Sequence, residues 1–175
     1  MKEPDFSSSE FVKKLILLFI MEKMEFPLTD ESLNDIAATH PDWLTYMDLR
    51  DALSQLVETN LAFSSVGEGA NTAFNITQDG RTALAHFYMK IPQSIRTAIA
   101  NFANENRQKF KRRQEYTWDY FKATDGGYIV VLKIVGSIEI KLHTDTRARA
   151  KAITTNWREM APNVYELFFN LGGEE

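Results

Sequence analysis

Between Glu58 and Thr77 the spacing of apolar residues changes from a period near 3.6 to a period of two. Upstream, Leu49, Leu53, Leu56 and Val57 form a helical stripe. Downstream, Leu61-Ala62-Phe63-Ser64 and Thr72-Ala73-Phe74-Asn75-Ile76 read as two short strands. The stretch Gly67-Glu68-Gly69-Ala70-Asn71 between them is rich in residues that tolerate positive φ, so the strands are expected to form a hairpin. A chain that makes this switch after three helical segments has few ways to close a core.

The first of those segments is expected from Ser9 to Met24. Phe11, Leu15, Leu18, Phe19 and Phe26 mostly follow helical spacing, Ser9 suits an N-cap and Pro27 a stop. Thr29-Asp30-Glu31 opens the second, a hydroxyl followed by two carboxylates that suit the positive end of a helix. Leu33, Ile36 and Ala37 give it a buried face, and His40-Pro41 ends it. Thr45 begins the third helix, where Thr45-Tyr46-Met47-Asp48 has a near capping-box pattern. Tyr46, Arg50, Asp51, Ser54, Gln55 and Glu58 then face away from the stripe. After the hairpin, Thr77-Gln78-Asp79-Gly80 caps a fourth helix with Leu84, Phe87 and Tyr88 inward.

Ile91-Pro92 marks a boundary, with the proline in a first helical turn. The next helix is expected from Pro92 to about Arg113, roughly 33 Å long at 1.5 Å per residue. Ile95, Ile99, Phe102, Asn106 and Phe110 share one face of it. Three strands follow, Tyr116 to Ala123, Tyr128 to Val135 and Ile138 to Thr144, with tight turns at Asp125-Gly126-Gly127 and Gly136-Ser137. Tyr-Ile-Val-Val-Leu-Lys-Ile-Val is apolar on both faces and belongs in the centre. The third strand turns Ile138, Ile140 and Leu142 inward. Thr144 or Asp145 is expected to cap a helix carrying Ala152, Ile153, Trp157 and Met160, and Pro162 to break it before a short terminal helix from Asn163 to Leu171.

The expected class is α+β. An N-terminal winged helix-turn-helix, residues 1–90, is followed by a long linking helix and a three-stranded antiparallel sheet with two C-terminal helices, residues 91–175. The second part would serve dimerisation or ligand sensing.

Composition narrows the function. There is no cysteine, which excludes disulfides, thiolate metal sites and a cysteine nucleophile. The apolar run Leu15 to Met21 is far shorter than the roughly 20 residues of a bilayer span, and no signal cleavage site follows it. No membrane partner and a cytoplasmic location are therefore expected. His40, His86 and His143 have no metal-ligand spacing, and no phosphate loop, Gly-x-Ser-x-Gly or dinucleotide fingerprint is present. No cofactor is expected, and no enzymatic activity.

Leu17-Leu18-Phe19-Ile20, Pro27-Leu28-Thr29, Leu49 through Leu56-Val57-Glu58, Phe74-Asn75-Ile76-Thr77 with Gly80, and Ile91-Pro92-Gln93-Ser94-Ile95-Arg96 carry a resemblance, together with Asn104-Glu105-Asn106 and Asn156-Trp157. Over nearly its whole length the chain resembles an uncharacterised bacterial winged-helix family, classed as a domain of unknown function and labelled as transcriptional regulators. Residues 10 to 90 are more loosely similar to the PadR and MarR regulators through the strand–Thr–x–x–Gly–helix junction. The resemblance implies a fold and a class of function; it implies no ligand and no operator.

In a winged helix the third helix enters the major groove and the hairpin touches the backbone or minor groove. The expected DNA-contacting residues are therefore Thr45, Tyr46, Arg50 and Ser54, Asn71 at the hairpin, and Lys109, Lys111, Arg112 and Arg113 from the basic run that begins at Arg107. Each has a plainer reading. Arg50 would pair with a neighbouring carboxylate, and the basic run would be a solvated helix end whose charge suits the dipole. Tyr116, Trp118 and Tyr120 alternate on one strand and would pack against a helix, or else cover a ligand or stack on bases.

Charge weighs against an unaided DNA reader. Residues 1–90 carry 7 Lys+Arg against 14 Asp+Glu, and residues 91–175 carry 13 against 10. DNA affinity rests largely on neutralising phosphates. The leading expectation is a dimeric DNA-binding transcriptional regulator acting on double-stranded DNA, with a small-molecule effector a further partner. The alternative is a winged helix used for protein contacts.

Overall fold

The computed structural model describes residues 9–66 and 71–171. The chain is mixed α+β and forms two compact units, residues 1–110 and 111–175. The described residues form six α-helices and two three-stranded antiparallel sheets.

The first unit is built around α1 (Ser9–Met24). Every residue from Leu15 to Met21 is no more than 3% exposed. A helical stretch that is apolar all round belongs inside a core rather than on it, and α1 is packed by α3 (Tyr46–Glu58), α4 (Gln78–Phe87) and β3 (Thr72–Ile76) while its charged ends stay partly open. Glu25 ends it in the left-handed region at φ 65°. The carbonyl of Lys23, left without a helical partner, accepts from Arg107 Nε at 3.1 Å and Nη2 at 2.7 Å.

β1 (Leu28–Thr29) leads straight into α2 (Asp30–Thr39), and Thr29 serves both. It pairs with Ala73 of β3, while its hydroxyl accepts from the Ser32 N–H at 3.2 Å as the expected N-cap. β1 itself was not expected from the sequence: two residues are too few to show a period. β2 (Ala62–Val66) pairs with β3 from Ala62↔Ile76 to Val66↔Thr72, giving the order β1-β3-β2. The tip at residues 67–70 lies outside the described residues. Thr77 caps α4 by accepting from the Gly80 N–H at 2.9 Å. A Cβ on Gly80 would lie 2.1 Å from the Leu61 carbonyl oxygen and 2.8 Å from Ile76 Cγ1, so only glycine fits this junction.

A 3-10 turn over Tyr88–Lys90 precedes α5 (Gln93–Glu115), which begins and ends close to the expected limits. Up to Phe110 it belongs to the first unit, where Ile99 and Ala103 are buried and Ile95, Phe102 and Phe110 pack beside them.

The second unit is a meander with a helix laid on it. β4 (Tyr116–Lys122), β5 (Tyr128–Ile134) and β6 (Ile138–Thr144) run in the order β4-β5-β6, with β5 central as its apolar faces require. Val130, Leu132 and Ile134 are buried, with Ile138 and Ile140 partly covered beside them, whereas Leu142 is exposed.

The remaining residues form a single helix, α6 (Arg147–Leu171), where two helices were expected. Pro162 does not break it. The proline removes one backbone donor, yet Ala150, Thr154, Trp157 and Ala161 continue one buried face up to it and Val164 carries that face past it. Packing on both sides overrides the local preference. Trp157 donates from Nε1 to the Lys133 carbonyl at 3.2 Å, which ties α6 to β5. Thr146, rather than Thr144 or Asp145, takes the capping bond, accepting from the Arg149 N–H at 3.3 Å.

Candidate nucleic-acid interface

α3 is covered on one side and open on the other. Leu49, Ala52, Leu53 and Leu56 are buried, while Tyr46 and Met47 are 58% and 65% exposed and Asp51, Ser54 and Glu58 also face solvent. Its start is firmly made. The Thr45 hydroxyl accepts from the Asp48 N–H at 3.2 Å, and the Asp48 carboxylate accepts from the Thr45 N–H at 3.0 Å. That N–H, with Lys13 at 3.4 Å, holds the Asp48 carboxyl below its usual range. Lys13 also donates to the Trp43 carbonyl at 2.9 Å, so α1 anchors the turn that precedes α3.

The cation of this face is already engaged. Arg50 donates to both oxygens of Asp30 and to Asn34 Oδ1, and its guanidinium lies 5.1 Å from the centre of the Tyr46 ring. Asp30 and Asn34 sit one turn apart on α2, which aims both side chains at Arg50. The guanidinium's hydrogen bonds hold the Asp30 carboxyl below its ordinary value, outweighing the opposing effect of partial burial. Ser54 donates to Glu58 at 3.1 Å. Tyr46, Arg50 and Ser54 are thus gathered on one side of α3, as its helical period requires, and Thr45 caps its start. The Arg50 partner lies 20 residues away on another helix. The carboxylate–amide pair at i and i+4 was the available signal for it.

Asn71 is exposed just before β3. Within α5, Lys109 is exposed in the first unit, and Lys111 and Arg112 are exposed in the second. Arg113 is half-buried and has a partner. Arg107, the first cation of this run, is committed to the end of α1 and to Glu25 at 3.2 Å.

The aromatic alternation on β4 packs against a helix. Tyr116 and Tyr120 join the core under α6, and Trp118, 38% exposed, lies beneath the Arg158 guanidinium at 4.8 Å. Among the described residues no group of three or more His, Cys, Asp or Glu side chains could hold a metal ion. No described helix is long and apolar enough to cross a membrane.

No curated protein and no solved structure gives a significant match to the chain. One family model does match, described as Domain of unknown function (DUF4364), over residues 13–171. That span runs from within α1 to the end of α6, and the chain belongs to this family.

Proposed function

We propose that this protein is a winged-helix transcriptional regulator that meets double-stranded DNA through α3 and the β2–β3 hairpin, acting as a homodimer. The observation that carries the reading is the one-sided burial of α3, with Tyr46, Met47, Asp51 and Ser54 outward and an antiparallel hairpin following in the chain. A helix presented in this way can enter a major groove, and two copies would set a half-site spacing. The test is binding of the full chain to genomic fragments across a salt series. A regulator of this kind binds in a salt-dependent way, and Tyr46→Ala weakens it. No binding at low salt removes the reading.

A second reading is favoured by the charge. Arg50 is tied to Asp30, and residues 1–90 hold twice as many acidic as basic residues, 14 against 7. A protein partner with a basic surface suits that face better than phosphates do. A stoichiometric protein complex that survives nuclease treatment, with no DNA retained, would decide for it.

A further inference from the structure

The second unit contains a cleft of about 300 Å³. Arg112 and Glu115 from the last turn of α5, Tyr116 at the start of β4, and Tyr165 and Glu166 from α6 beyond Pro162 line it, with Ile134 at the end of β5. The antiparallel register brings Tyr116 opposite Ile134. The uninterrupted course of α6 carries Tyr165 and Glu166 to the same place; a helix broken at Pro162 would not be bound to do so.

The polar groups here are not spent on one another. Among the described residues, the side chains of Arg112, Glu115, Tyr165 and Glu166 make no hydrogen bond and no ion pair. A guanidinium and two carboxylates thus line one small space without pairing, with Arg112 and Glu166 open to solvent. Desolvation is felt there as well, since burial is the main cause raising the Tyr116 phenol above its ordinary value, with Glu115 pushing the same way and Arg112 against.

A purely anionic ligand would meet two carboxylates, and a purely cationic one would meet the guanidinium. A molecule bearing both charges satisfies all three groups. The volume lies at the lower limit of ligand sites, which run from about 300 to 1,000 Å³, so the molecule is small. Aromatic faces of Tyr116 and Tyr165 suit an ammonium, and Ile134 suits a short carbon skeleton. We propose that this cleft binds a small zwitterion, a free amino acid or a betaine, with its carboxylate on Arg112 and its ammonium between Glu115 and Glu166. All the lining residues belong to the second unit, so the proposal stands whether or not α3 meets DNA.

The test is calorimetric titration of the full chain at neutral pH with the twenty L-amino acids and glycine betaine. Acetate and methylammonium serve as half-ligands. At least one zwitterion is expected to bind saturably. Arg112→Gln and Glu166→Gln should each weaken it about tenfold, the loss of roughly one contact between opposite charges. Both side chains are exposed, so thermal unfolding without ligand should match the parent protein and report that the variants fold. Three results would each overturn the proposal: no zwitterion binding at millimolar concentration, undiminished binding by either variant, or a half-ligand that binds as tightly as the zwitterion.

Discussion

Arg50 holds Asp30 through both terminal nitrogens, Nη1 to Oδ1 at 2.6 Å and Nη2 to Oδ2 at 3.0 Å. The pair joins α2 to α3 on the side that faces solvent. It adds to the packing of α2 on α3 and leaves the Arg50 charge already paired. For the proposed DNA-binding role the contact would cut both ways, helping to hold α3 while weakening its attraction for phosphates.

Breaking that clamp should cost little stability and show a pH signature. The side chains are partly open, 30% and 46% exposed, so Arg50→Ala is expected to lose about 1 kcal/mol, discounted for screening. Asp30 is the clearer probe. Its folded carboxyl titrates below the ordinary 3.8, so its contribution is fully present above that pH and is lost as pH falls through the lowered folded value. Urea midpoints of the parent should drop across that window. Those of Asp30→Asn should lack this share of the drop.

Gly80→Ala tests the junction between β3 and α4. The added methyl would collide with the Leu61 carbonyl, which is backbone and cannot swing aside. We expect a loss of about 2–4 kcal/mol, read by chemical unfolding. Thr77→Ala, which removes the cap alone, should cost only about 1 kcal/mol.

Trp157 is 1% exposed and bonds the Lys133 carbonyl. Trp157→Ala should destabilise the second unit by about 3–5 kcal/mol. Trp157→Phe keeps much of the volume and loses the donor, so a smaller loss of about 1–2 kcal/mol is expected. Denaturation followed by circular dichroism would rank the two.

Pro162→Ala should stabilise α6. It returns a backbone donor to the turn below, in a helix interior where alanine is favoured over proline by about 3 kcal/mol. Part of that is offset by the freer unfolded chain. Slower amide exchange across residues 158–166 is the expected readout.

Most of the elements were legible because each carries a strong local period or cap. The first helix runs from Ser9 to Met24 as its apolar spacing and Pro27 suggest, and Thr45 and Asp48 form the capping box their spacing anticipates. What the sequence concealed depends on partners distant in the chain. Leu28 and Thr29 become a strand only because β3 is there to pair with them. Pro162 is tolerated only because the sheet holds α6 on both sides of it. For the candidate interface, spacing placed Tyr46, Arg50 and Ser54 on the open side of one helix. The Asp30 and Asn34 pair at i and i+4 marked a candidate partner for Arg50, but with Asp30 and Arg50 20 residues apart only the packing of α2 on α3 joins the two. The cleft was concealed for the same reason: its walls come from α5, β4, β5 and α6.

The sealed position of α1 has a consequence for how the first unit comes into being. With seven successive side chains shut away from water, the middle of this helix, between its charged ends, has no wet side on which to wait for its neighbours. It is greasy baggage until the flanking helices and the small sheet close around it, and an early chain must shield it or clump. Assembly of that unit should therefore be all-or-none, with the amides of Leu15 to Met21 released to deuterium together and only when the whole unit opens.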